Sequence, residues 1–140
     1  MENIRTIIFY KSYFLDFYNA VGQKVQDKIE YILDILATQQ IVPMKFMKYI
    51  ENSDGIYELR VSAGSNEYRI LCFFESGSLI EGGKVVVLGN SFLKKDKKDY
   101  KKALEKAQKI RTAYFEEQNW LKNKTFIKFI NHGIHKYKYI

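Results

Sequence analysis

The hairpin GIYELRVSAGSNEYRILCFF holds two arginines at a spacing that lets them act together. If its turn centres on Gly64 and Ser65, Arg60 lies directly opposite Arg69, and strand alternation puts both on one face. Tyr57, Leu59, Val61, Tyr68, Ile70 and Cys72 then line the other face. Like charges directly opposite one another destabilise a ladder, so the pair calls for an anion. Glu58, Glu67, an acidic partner or a phosphate would serve. The next strand ends in Phe92, Leu93, Lys94 and Lys95, which adds positive charge to the same surface.

Arginine, lysine, tyrosine and glutamate are enough to cleave RNA. The 2′-hydroxyl is an internal nucleophile for the adjacent phosphate. The protein has to hold ribose and phosphate in line, stabilise added negative charge and move protons. Arginine suits the second task, because its planar fork grips phosphate in bidentate fashion and stays charged. A lysine among other cations has a lowered pKa and exchanges protons near neutrality. Such a site needs no histidine.

Other chemistry is thinly represented. There is no glycine-rich phosphate loop and no metal-ligand spacing, so neither a metal nor a cofactor is expected. Cys72, the single cysteine, alternates with the inward positions Tyr68, Ile70 and Phe74 and reads as a buried, inert thiol. His132 and His135 read as incidental tail residues. Tyr68 is expected to face inward, Glu67 to form a salt bridge beside the turn, and Phe92 to pack in the core or offer a base a stacking surface.

Charge sharpens the picture. The net charge is +7, but Phe92 to Ile140 carries fourteen Lys/Arg against five Asp/Glu, while Met1 to Ser91 carries nine against eleven. A basic region this concentrated suits a polyanion such as nucleic acid; a solvated lysine-rich helix is the plainer reading. A chain of 140 residues is long enough for one domain with its own core. A lone cysteine fits a reducing compartment. The start, MENIRTIIFYKSYF, lacks the form of a secretion signal, and no apolar run approaches the ~20 residues a membrane span needs. A cytoplasmic protein is expected.

The elements that must position the arginines follow from periodicity. Ile4 to Tyr10 reads as a strand. From Ser12 the period changes: Phe14, Phe17, Tyr18, Val21, Val25, Ile29, Ile32, Leu33 and Leu36 mark an amphipathic helix, broken or bent at Gly22. Pro43 closes the loop after it, Met44 to Ile50 is either a helical turn or extended, and Asn52 to Gly55 is turn chemistry. After the hairpin and a Ser/Gly-rich turn from Glu75 to Gly83, Lys84 to Leu93 forms a strand whose run Val85–Leu88 suits a central position. Asp96 or Asp99 caps a helix beginning near Asp99, with Ala103, Ala107, Ile110 and Tyr114 as its apolar stripe. The expectation is an α+β fold, a small, mainly antiparallel sheet packed by helices on one face, with a C-terminal helix and an extra tail. Residues 1–118 form the domain and residues 119–140 an extension to which no role is assigned.

From Ile4 to Phe115 the chain resembles the RelE/ParE superfamily of bacterial toxins, in its HigB-like, phage-derived branch. The resemblance rests on the ELR ending at Arg60, the YRI containing Arg69, the apolar strand running into GNSFLKK, and the lysine-rich helix with Ala103 and Ala107. It implies a type II toxin–antitoxin toxin: a metal-independent, ribosome-dependent mRNA endonuclease, neutralised by an antitoxin that usually carries a helix-turn-helix domain. Arg60 and Arg69 match arginines that bind the scissile phosphate, and Lys94 and Lys95 match the catalytic lysine pair. Phe92 matches an aromatic before that pair, and Lys97, Lys98, Lys101 and Lys102 extend the RNA-binding surface. Many relatives have a histidine near Asn90 and a TQKTP-like segment where this chain has DKKDY, so the proton-transfer residues stay unassigned. Two rival functions remain open: a non-enzymatic, ParE-like inhibitor of DNA gyrase, and a module binding RNA or an acidic partner.

Overall fold

The structure is a computed structural model that describes residues 2–76, 83–123 and 137–139. Along the chain run β1 (Thr6–Phe9), α1 (Tyr13–Ala20), α2 (Gln23–Thr38), β2 (Met47–Tyr49), β3 (Tyr57–Ala63), β4 (Asn66–Phe74), β5 (Val85–Leu93), α3 (Lys97–Asn123) and β6 (Tyr137–Tyr139). The strands form one sheet in the order β2-β3-β4-β5-β1-β6. Neighbours from β2 to β5 are antiparallel, whereas β1 runs parallel to β5 and β6 parallel to β1. The class is α+β, as expected, with a sheet antiparallel in most of its pairings.

The hairpin has the expected register. Ala63 pairs with Asn66 and Arg60 with Arg69 across a two-residue turn. Gly64 takes a φ of 62°, and Ser65 is not among the positive-φ residues. That is the type II′ pattern, whose twist suits a tight hairpin. Gly22 breaks the long apolar pattern into α1 and α2, standing as the N-cap of α2 in extended conformation. Asp96 caps α3, accepting the Asp99 N–H at 2.9 Å, so the helix starts two residues before the expected position. Met47–Tyr49, left open by the sequence, pairs with β3 as an edge strand. α3 also continues to Asn123 without a break at 118.

One expectation is corrected. The helices do not share a face of the sheet; they cover both. α1 and α2 pack against Ile7, Phe9, Leu59, Val61, Ile70, Cys72, Phe74, Val86 and Leu88. α3 packs Ala103, Ala107, Ile110 and Tyr114 against Ile8, Leu71, Phe73 and Val87 on the opposite side. The reason lies in β4 and β5: Ile70–Phe74 and Val85–Leu88 are apolar at consecutive positions, so both faces need cover.

The α3 layer is seated by a bulge. Ile70 pairs with Ser91 and Cys72 with Leu88, which leaves Gly89 and Asn90 opposite Leu71 alone. A Cβ at Gly89 would stand 3.3 Å from the Leu71 carbonyl oxygen and 3.8 Å from Ile110, so glycine lets helix and sheet approach. Asn90 Nδ2 then donates to the Ala103 carbonyl at 3.0 Å. On the other side of the molecule Arg5, overlooked in the sequence, is a buried clamp. Its guanidinium donates to the carbonyls of Gly83, Leu36, Gln39 and Gln40 at 2.5 to 2.9 Å. It ties the C-terminus of α2 to the residue that leads into β5, and its burial lowers the pKa.

Replacing Arg5 with Met is expected to cost about 2–4 kcal/mol, since it strands several buried carbonyls at once. Arg5→Lys should recover only part of that, because one ammonium does not span the same fork. Urea unfolding with unchanged m-values checks both.

Candidate active site

The site builds outward from β3 and β4. Glu58, Arg60, Glu67 and Arg69 occupy the face that α3 covers, alternating with the inward residues of the other core. The paired guanidiniums have an internal counterion. Glu58, only 4% exposed, places Oε2 2.7 Å from Arg69 Nε and 3.1 Å from Arg60 Nε. The Arg69 contact is an ion pair whose Nε–H is not aimed along it, so that N–H finds no hydrogen-bond acceptor. Arg69 Nη1 donates to the Tyr68 carbonyl at 3.0 Å and to Glu67 Oε1 at 3.3 Å.

Tyr100 completes the cluster from α3. Its hydroxyl donates to Glu58 Oε1 in a short hydrogen bond, and its ring meets Phe92 edge-on with centroids 5.8 Å apart. The sequence reading missed Tyr100. A signal was present: it heads the stripe Ala103, Ala107, Ile110, Tyr114 at helical spacing. That puts a hydroxyl-bearing aromatic at the edge of a buried face, where its oxygen needs a polar partner.

These contacts set the protonation states. Burial pushes the Glu58 carboxyl up, but the Tyr100 hydroxyl and the two guanidiniums outweigh it and hold the group below the ordinary carboxylate value. Burial and the Glu58 carboxylate raise the Tyr100 phenol well above its ordinary value, so it remains a donor. Glu67 is held low first by a hydrogen bond with Ser62 and then by Arg69 and Lys94, against the cost of desolvation. Burial, and secondarily Glu58, push the Cys72 thiol up to about 12.

The expected site residues divide into three groups. Arg60 and Arg69 come together, with unequal access: the Arg69 side chain is 5% exposed and Arg60's is 31%. Phe92 pairs with Arg69 in the ladder and, half-buried, packs at the edge of the α3 core. The Lys94 N–H donates to the Glu67 carbonyl at 2.7 Å, and its ammonium acts on the Glu67 carboxylate. Lys95, Lys97, Lys98, Lys101 and Lys102 are exposed on the segment from the end of β5 into the first turns of α3, around Tyr100 in sequence. Tyr68 faces the other core, against Phe17. Tail residues 124–136, with His132 and His135, lie outside the described residues, as does most of the Ser/Gly-rich turn.

The arrangement supplies two fixed positive charges, a neutral phenol donor and a run of exposed ammonium groups. It can hold an anion, stabilise charge added to that anion, and bind a polyanion beside it. Among the described residues no three His, Cys, Asp or Glu side chains stand together as metal ligands, and no helix is long and apolar enough to cross a membrane.

The profile of the phage-derived protein Gp49-like family (DUF891) matches residues 16–112. The match spans well over half of the chain, takes in the whole of this cluster, and shows that the chain belongs to that family. The family is one of toxins of the toxin–antitoxin type and implies an antitoxin partner. No curated protein matches the chain.

Acid should weaken the fold through Glu58. Its folded pKa is depressed, so its stabilisation is complete above the unfolded value near 4.5 and is lost as pH falls through the folded value. Urea midpoints measured from about pH 7 down to about pH 3 should fall more steeply for the wild type than for Glu58→Gln. A thiol-reactive reagent should label Cys72 only after unfolding, since the thiol is fully buried and weakly acidic.

Proposed function

We propose that this member of the Gp49-like toxin family cleaves messenger RNA on the ribosome, by attack of the substrate's own 2′-hydroxyl on the adjacent phosphate. One observation carries the reading: two guanidiniums stand side by side on one sheet face, at the foot of an exposed lysine run. Ribosome, message and cytoplasmic setting belong to the proposal.

In this mechanism Arg60 and Arg69 bind the non-bridging oxygens of the scissile phosphate. They stabilise the charge that builds as phosphorus becomes five-coordinate. Lys94 and Lys95 neutralise the flanking backbone and lie near enough to the exposed edge to exchange protons with solvent. Lys97, Lys98, Lys101 and Lys102 hold RNA beyond the cleavage point through charge, with a matching salt dependence. Phe92 supports Tyr100 first and offers a base its exposed edge second. The 2′-oxygen forms a bond to phosphorus as the bond to the 5′-oxygen breaks. The 2′-hydroxyl gives up its proton and the departing 5′-oxygen gains one. The products are a 2′,3′-cyclic phosphate and a 5′-hydroxyl end. An antitoxin, of helix-turn-helix type in the family resemblance, would silence the protein by covering or distorting this face.

Purified protein added to a translating system should yield messages with new 5′-hydroxyl ends, found by end mapping. Arg60→Gln leaves the Arg69–Glu58 pair in place and should slow cleavage by on the order of 10²-fold or more. Intact messages with both proteins would sink the proposal; inhibition of gyrase supercoiling without RNA scission would select the rival ParE-like role. Exchanging Lys97, Lys98, Lys101 and Lys102 for Ala should weaken RNA binding and flatten its salt dependence, by about 0.7 in slope for each phosphate no longer neutralised.

A further inference from the structure

Two hydrogen-bond donors, Arg60 and Tyr100, and the ion-paired guanidinium of Arg69 converge on a single carboxylate in this site. Glu58 Oε2 faces Arg60 Nε and Arg69 Nε at 3.1 and 2.7 Å, and Oε1 accepts from the Tyr100 hydroxyl. Two guanidiniums and a phenol around one two-oxygen anion are what the two non-bridging oxygens of a phosphodiester would also require. We infer that Glu58 occupies the phosphate position of the site, that a substrate phosphodiester binds by exchanging with it, and that Tyr100 is the third donor of the cradle. The inference rests on the reading of this cluster as the RNA-binding centre.

Charge and access both support the exchange. A carboxylate and a phosphodiester each carry one negative charge, so substitution leaves the balance around the arginines unchanged. Without Glu58, two opposed guanidiniums would repel one another in the ladder and would attract any passing polyanion. Arg60, about one third exposed, is the point of entry, while Arg69 sits behind it almost out of solvent. The Tyr100 ring is braced by Phe92 and its backbone is fixed in the first turn of a helix capped by Asp96. Its hydroxyl therefore stays aimed at the same point whichever anion is there. Tyr100 carries no role in the family resemblance; the position follows from the geometry.

The test is equilibrium binding of a short 2′-O-methyl oligoribonucleotide, which cannot be cleaved. Glu58→Gln keeps the shape and removes the resident charge. It should bind on the order of tenfold more tightly at low salt, roughly the worth of one neighbouring charge, with log K falling more steeply against log salt by about 0.7. Adding Tyr100→Phe to Glu58→Gln should take back several-fold of that gain. A purely structural role for Glu58 would give weaker binding and no change in salt slope. Unchanged or weaker binding by a Glu58→Gln protein that still melts cooperatively would overturn the inference.

A second measurement uses the wild-type chain. Its Glu58 carboxyl carbon, followed by NMR, should shift on saturation with the same oligonucleotide, together with Arg60 Nε. Movement of Arg60 with Glu58 unmoved would also overturn the inference. The two readings fail separately. Tighter binding by Glu58→Gln with no cleavage of messages by wild type sinks the nuclease and leaves the exchange standing; cleavage without either binding signature does the opposite.

Discussion

The buried Glu58 carboxylate is the constraint around which the site is organised. Opposed guanidiniums at the ~5 Å spacing of a cross-strand pair would repel by about 3 kcal/mol at an effective dielectric of about 20. A sheet edge open to water could tolerate that. The face beneath α3 cannot, because Arg69 has almost no contact with solvent. Glu58 offsets both charges from within the same strand as Arg60, two residues away, and so holds the arginines side by side. The cluster is therefore a preorganised arrangement of charge, with its own anion in place.

That arrangement depends on the helix above it. α3 lies across the sheet because Gly89 lets it approach and because Leu71, Phe73 and Val87 need cover. Once it is seated, Tyr100 reaches Glu58, Asn90 holds the Ala103 carbonyl, and Tyr114 donates to Glu75 at 2.9 Å. Tyr10 adds a bond to Glu117 farther along. Polar contacts of this kind add little net stability each, but they fix rotation of the helix about its axis. The rotation decides that Tyr100 faces the arginines while Lys97, Lys98, Lys101 and Lys102 face water. Packing energy and site geometry are thus set by the same contact.

The partition of charge has a parallel logic. The site proper is close to neutral, since two arginines meet Glu58 and Glu67. The excess positive charge lies outside it, on the exposed lysines. In the proposed function the exposed lysines supply the long-range attraction for a polyanion, which salt screens. The same proposal gives local discrimination to the buried cluster, where geometry matters more than net charge. A family of toxins that must remain silent with an antitoxin bound and act without it is well served by a surface whose two parts do different things.

Much of this was legible in the residues. Alternation across Leu59–Val61 and Tyr68–Cys72 with a Gly-Ser turn dictates the Arg60–Arg69 pairing, because strand period and turn length leave no other register that buries the apolar face. The stripe through Ala103 and Tyr114 dictates α3, and Gly22 marks a break or bend that the structure resolves as the boundary between α1 and α2. What the chain order could not reveal is which apolar surfaces meet. Consecutive apolar positions in β4 and β5 signal two covered faces, but not that α1 and α2 take one and α3 the other. Nor do they say that β1 inserts parallel to β5, that Met47–Tyr49 joins the edge, or that Arg5 reaches four distant carbonyls. Glu58 was visible as a neighbour of Arg60; its role as the anion shared by Arg60, Arg69 and Tyr100 exists only when α3 docks, since Tyr100 is 42 positions away along the chain. Local periodicity, which reads over a few residues, determined the elements and the arginine pair. Long-range packing, which no local pattern encodes, decided what the pair is bonded to.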